Sequence, residues 1–206
     1  MKNIKLLLIF LLCTIIPAFA TTPDALYDKI DKSYNAISTW QASISQTNQY
    51  VQLKRSTTFD GKIYFQTGRM AIRFEKPYKQ YMTVDKGIVT LYDSQSNTAI
   101  KSRIQPEFDK LNPVEILRYY WKLSAVKITG EQSGLVSVTL VPKQDKMITS
   151  LSAKVNLKTG FIQQLSYQDV SKNTVSYVFT NIKANAAIPP AVWQLKIPKN
   201  AQVIEQ

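Results

Sequence analysis

The chain has 206 residues, 26 lysines and arginines against 14 acids, no histidine and one cysteine, for a formal net charge of +12. Without histidine, Ser-His and Cys-His nucleophile pairs, histidine general bases and ordinary zinc or haem sites are excluded. Basic residues are spread through alternating segments, with no basic helix or arginine-rich tract. A solvated basic surface is the plain reading. Attraction to anionic headgroups or acidic proteins is the sharper one.

The N-terminus reads as a cleavable leader. Lys2 and Lys5 precede an apolar run from Leu6 to Ile16, and Ala18-Phe19-Ala20 gives the small-x-small cleavage pattern, with Thr21 as the new N-terminus. That run is too short for a bilayer, which needs about 20 apolar residues. A lipidation signal at Cys13 fits less well, because Leu12 stands where a small side chain is required. Removing residues 1–20 of the 206 leaves 186, takes away Cys13, Lys2 and Lys5, and predicts a single disulfide-free domain, 21–206, held by its core alone.

Thr22-Pro23-Asp24 predicts a helix start with Thr22 as N-cap, and Leu26, Ile30, Tyr34 and Ile37 recur at helical spacing. From Trp40 the period becomes two. Trp40, Ala42 and Ile44 alternate with polar residues, as do Phe59, Ile63 and Phe65, and then Met70, Ile72 and Phe74 against Arg69, Ala71 and Arg73. Lys76-Pro77 interrupts the run and Tyr81 to Asp85 resumes it, with turn chemistry at 85–87 and 93–97. Asn112-Pro113 opens a second helix capped by Asn112, with Val114, Leu117, Tyr120 and Trp121 on one side. Strands follow at 136–140, 151–157, 161–169 and 175–182, with a turn around 142–146 and a hairpin turn at Lys158-Thr159-Gly160. The pattern is an antiparallel meander with one wet face.

Little chemistry is available. Gly61-Lys62 is followed by Ile63, so no phosphate loop forms. Acids such as Asp24, Asp28, Asp31, Asp60, Asp85 and Asp93 fall in turns or on exposed helix positions. The chain reads as a non-enzyme without cofactor or metal. What remains is apolar surface. Met70, Ile72, Phe74 and Met82 suit an ordinary sheet core or the adaptable lining of a lipid cavity, and periodicity does not separate the two.

Taken in order, several segments resemble the LolA family of periplasmic outer-membrane lipoprotein carriers. They are Trp40-Gln41-Ala42-Ser43-Ile44-Ser45-Gln46, Gly61-Lys62-Ile63-Tyr64-Phe65, the Met70–Pro77 stretch, Lys76-Pro77-Tyr78-Lys79-Gln80 through Leu91-Tyr92-Asp93, Leu140-Val141-Pro142-Lys143, Tyr177 to Ile182, and Trp193 to Ile204. The resemblance implies a mainly β fold: a half-open antiparallel barrel of about eleven strands, with helices forming a lid over an apolar cavity. It implies a cavity lined by Ile44, Ile63, Phe65, Met70, Ile72, Phe74, Met82, Val89, Leu117 and Trp121, and lid contacts from Leu26, Ile30 and Arg69. Gln66-Thr67-Gly68-Arg69 stands where the family has an arginine-proline pair. The implied protein is a periplasmic monomer that accepts triacylated lipoproteins from an inner-membrane ABC transporter and hands them to an outer-membrane receptor lipoprotein, with no nucleic acid as partner. The fold also resembles the lipoprotein-sensing domain of periplasmic envelope-stress regulators, which usually append a second domain that 186 residues would not accommodate. A transmembrane barrel is disfavoured by the nine prolines, the two helices and the terminal Gln206. A hydrolase working with two carboxylates is the remaining alternative.

Overall fold

The computed structural model describes residues 21–103 and 113–205. The expected leader, with Cys13, and Asn112 and Gln206 lie outside the described residues. Helix α1 (Pro23–Asn35) precedes six strands: β1 (Thr39–Tyr50), β2 (Arg55–Gln66), β3 (Arg69–Lys76), β4 (Gln80–Asp85), β5 (Ile88–Asp93) and β6 (Thr98–Arg103). Helix α2 (Pro113–Leu123) leads into β7 (Ser124–Gln132), β8 (Leu135–Pro142), β9 (Ile148–Asn156), β10 (Ile162–Asp169) and β11 (Thr174–Ala184). A short 3-10 turn, Pro190–Trp193, comes before β12 (Gln202–Glu205).

The strands form one sheet in the order β12-β6-β5-β4-β3-β2-β1-β11-β10-β9-β8-β7. Eleven are antiparallel to their neighbours, as the meander predicts, and β12 adds a short parallel pair beside β6. The two edges, β12 and β7, do not pair with each other, so the barrel stays half open. Strand β7 goes unnoticed in the sequence because only Val126 and Ile128 mark its alternation at a mostly exposed edge.

Thr22 caps α1 through its Oγ1, which accepts from the Ala25 N–H at 3.2 Å. The helix ends at Asn35 with Ala36 as C-cap, so Ile37 lies beyond it yet still packs on the core. Leu26 and Ile30 of α1 and Leu117 and Trp121 of α2 are buried against the inward residues of the sheet, among them Val136, Val138, Leu140, Leu151 and Val155. Each such side chain contributes roughly 1.5–3 kcal/mol. Both helices rest over the β7–β10 half.

Two glycines allow close approaches. Gly160 (φ +71°) lets the β9–β10 turn press on α1, where a Cβ would lie 2.2 Å from Ser33 Oγ and 2.7 Å from the Lys29 carbonyl oxygen. At the β2–β3 bulge, a Cβ on Gly61 would stand 1.9 Å from the Arg73 carbonyl oxygen.

Candidate functional site: an apolar trough under the short strands

Paired residues in a sheet point to the same face, so register shows which side chains form a surface. Ile63, Ile72, Met82, Leu91, Ile100 and Ile204 stand opposite one another on β2, β3, β4, β5, β6 and β12. This row runs along the concave face from the packed core to the open edge. Ile63 and Ile72 are buried, Met82 and Ile100 half-buried, Leu91 exposed. The helices cover the other half of the barrel, so the row's outer end has no roof among the described residues.

A cavity of ≈ 560 Å³ opens there, between this floor, Pro113 at the start of α2, and Gln46 and Tyr177 from β1 and β11. Its size is that of an ordinary small-ligand pocket. The neighbouring row, Phe74, Gln80, Asp93 and Thr98, is mostly polar and forms the mouth. Gln80 Nε2 donates to Asp93 Oδ2 at 2.7 Å, while Asp93 Oδ1 accepts from the Gln95 and Ser96 N–H groups. Burial pushes the Tyr177 phenol's ionisation up, so it faces the cavity as a neutral hydroxyl. The trough is therefore apolar within and polar at its lip.

A second, smaller cleft of ≈ 230 Å³ lies beyond the first turn of α2, lined by Tyr34, Trp40, Phe65, Val114, Glu115 and Arg118 among others. Trp40 is buried, and its Nε1 N–H has no partner among the described residues. Above this cleft Arg118 ties the two helices together. Its Nη2 donates to Asp31 and to Asn35 Oδ1 (3.1 Å), both on α1, and its Nη1 donates to Glu115 at 3.0 Å.

The sequence-predicted lining divides among four places. Ile72, Phe74 and Met82 line the trough, and Phe65 lines the smaller cleft. Val89 stands on the concave face in a row with Met70 and Val84. Ile44, Ile63, Met70, Leu117 and Trp121 are buried in the core, as are Leu26 and Ile30, expected as lid contacts.

Arg69 departs from its expected place against the lid. It lies on the convex face, paired with Asp85 at 3.1 Å and 5.9 Å from the Trp193 ring centre. The residue that joins the two helices is Arg118, and Asp31, read from sequence as a solvated acid, is its half-buried partner. Arg73 also faces outward as expected, but not into water. Its Nη2 donates to the carbonyls of Ala191, Val192 and Gln194 at 3.3, 2.7 and 3.0 Å, which straps the C-terminal segment over the sheet.

Leu91, Ile100, Tyr177 and Gln46 were not among the lining residues expected from the sequence. Their signal is cross-strand register, which a sequence shows only after strand ends are known. Among the described residues, no cluster of three or more histidine, cysteine or acidic side chains could hold a metal ion. No described helix is long and apolar enough to cross a membrane.

Residues 35–196 match the family described as outer membrane lipoprotein carrier protein LolA. The chain belongs to this family. The LolA family is one of lipoprotein carriers, not of enzymes. An outer-membrane lipoprotein carrier protein of Ralstonia nicotianae is 25% identical over 159 residues, covering 75% of this chain and 73% of its own. Another, from Pseudomonas syringae pv. syringae, is 26% identical over the whole of both chains. Among solved structures, an uncharacterized conserved protein from Thermus thermophilus superposes with a TM-score of 0.59 at 12% identity, covering 89% of this LolA-family chain and 98% of that one. MucB, solved also in the MucA/MucB complex of Pseudomonas aeruginosa, gives 0.55 at 11% identity, covering 90% of this chain and 66% of MucB. At these identities the structural likeness speaks to the fold.

Proposed function

We propose that this protein is a periplasmic carrier that takes up the acyl chains of triacylated lipoproteins released at the inner membrane by an ABC transporter and delivers them to an outer-membrane receptor lipoprotein. The observation that carries this reading is the unroofed apolar row ending at Leu91 and Ile100 inside the ≈ 560 Å³ trough. An acyl chain of about 15 methylenes costs on the order of 12 kcal/mol to expose to water. A trough with an apolar floor offsets that cost, while its polar lip meets the glycerol and peptide that the chains hang from. Ile72, Phe74, Met82, Leu91 and Ile100 are the first contacts. The buried core residues, Leu117 and Trp121 on the inner face of α2 and Met70 on β3 among them, become accessible as α1 and α2 lift, with Arg118 holding the closed state. With no phosphate loop in the sequence, loading is driven by the donor, and release follows from a receptor that binds the chains better.

The test is native mass spectrometry of the exported protein with a triacylated lipoprotein and with its unacylated form. A one-to-one complex that needs the acyl groups supports the carrier reading. Indifference to both forms removes it. The likeness to MucB favours a second reading, a regulatory protein that senses lipoproteins. A complex that forms but never passes its cargo to an outer-membrane acceptor is the outcome that selects it.

A further inference from the structure

The strand directions place the β1–β2, β8–β9 and β10–β11 loops at the same end of the barrel as the trough's mouth. Hydrogen bonds join them into one rim. The Val51 N–H donates to Asn173 Oδ1 at 3.1 Å, the Val170 N–H to the Met147 carbonyl at 2.9 Å, and the Lys143 N–H to the Leu123 carbonyl at the end of α2, 3.0 Å. The Ser94 N–H, donating to the Lys79 carbonyl at 3.0 Å, links the two turns beside the mouth.

This rim exposes large apolar side chains where solvent gives them nothing. Leu53 is 72% exposed, Met147 66%, Val170 55% and Val51 53%. Between them stand Lys54, Arg55, Lys143, Lys146 and Lys172, all exposed and none in an ion pair among the described residues. The acids of the rim are occupied. Asp145 accepts from the Tyr120 hydroxyl and the Met147 and Ile148 N–H groups, and Asp169 accepts from Asn173. Cations interleaved with protruding apolar tips fit a lipid–water interface, where the tips enter at headgroup depth and the cations meet phosphates. The apolar tips stand on three separate loops rather than along one groove, so the surface does not offer a seat for a partner's helix or strand.

We propose that this rim docks the protein transiently on an anionic phospholipid surface, with the trough's mouth toward the bilayer. The proposal goes beyond the carrier reading and stands or falls separately from it. Each lysine near an anionic surface strengthens attachment about fivefold.

The experiment is flotation of the exported protein with vesicles of phosphatidylglycerol and phosphatidylcholine, against vesicles of phosphatidylcholine alone. The protein is expected to float with the anionic vesicles at low salt, to leave them at high salt, and to ignore the zwitterionic ones. Lys143→Gln with Lys146→Gln and Lys172→Gln is expected to weaken attachment roughly 100-fold. Leu53→Ser with Met147→Ser weakens it at unchanged charge, and Lys86→Gln with Lys158→Gln, at the opposite end, leaves it nearly intact. Flotation that is absent, equal on both vesicles, or equally reduced by the opposite-end pair overturns the proposal. Attachment only to vesicles that also carry an acidic membrane protein overturns it in favour of a protein partner. Acylated-lipoprotein binding by the same variants, read by native mass spectrometry, is expected to be unchanged, so a failure of the carrier reading registers in a different assay.

Discussion

Leu91 offers the cleanest separation of ligand binding from folding. It is 42% exposed on the concave face of β5, while Ile88, three residues earlier and 47% exposed, points to the convex face beside Arg69 and Asp85. Replacing either with glutamate alters a side chain that the free protein already leaves partly in water, so each should change stability by no more than about 0.5 kcal/mol. Their effects on cargo diverge. Covering the rest of Leu91 with an acyl chain gains about 1 kcal/mol, since a fully buried leucine contributes roughly 1.5–3 kcal/mol. Leu91→Glu forfeits that and places a carboxylate beneath hydrocarbon, where it must be desolvated or take up a proton at a further cost of 1 kcal/mol or more by order of magnitude. The sum, about 2 kcal/mol or more, weakens acyl-lipoprotein binding roughly 30-fold. Titration by native mass spectrometry, with thermal melts on the same samples, reads both quantities. Equal losses from Leu91→Glu and Ile88→Glu, or no loss from either, would refute the assignment of the concave row as the lipid floor.

Three further outcomes follow from the same geometry. Arg118→Ala removes the cation that α1 and α2 share and leaves Asp31 and Glu115 without it; a loss of about 1–2 kcal/mol in urea unfolding is expected, together with faster amide exchange in α1, and Arg118→Lys should not restore the full fork. Gly160→Ala sets a Cβ against the Lys29 carbonyl at a positive φ, with an expected cost of about 2 kcal/mol that shifts the urea midpoint down. The Ile148 N–H, with the Met147 N–H and the Tyr120 hydroxyl, holds the Asp145 carboxyl below its ordinary value. A depressed folded-state value means stability that is present above the ordinary carboxylate range and lost as pH falls through the folded value, so melting temperature should drop in acid below about pH 4, and Asp145→Asn should flatten that dependence.

The fold was largely legible because its signals are local. Thr22-Pro23-Asp24 marks a helix start, the two-residue period from Trp40 marks strands, and the turn clusters separate them. Strand β7 escaped because an exposed edge needs little apolar alternation. The site was legible only in part, because its defining contacts join residues far apart in sequence. Arg118 meets Asp31 across the chain, and Arg73 looks like a solvated cation until residues 191–194 are seen lying across it. The same three carbonyls make Arg73 an unsuitable neutral control for cavity substitutions.

One signal for the trough was present in the sequence in a form that periodicity alone does not reveal. An inward-facing position in a packed core should be apolar, and β8, β9 and α2 obey this with Val136, Leu140, Leu151 and Leu117. On β4 to β6 the inward parity instead mixes Met82, Leu91 and Ile100 with Gln80, Asp93 and Thr98. Polar groups at inward positions are costly unless water reaches them or they are bonded, and Asp93 is both bonded to Gln80 and open to the cavity. Once strand register is known, that mixture separates an unfilled trough from a filled core. It also places the polar lip at the end of the barrel where Leu53, Met147 and their neighbouring lysines protrude, so an acyl chain could pass between trough and bilayer through a mouth held against the membrane.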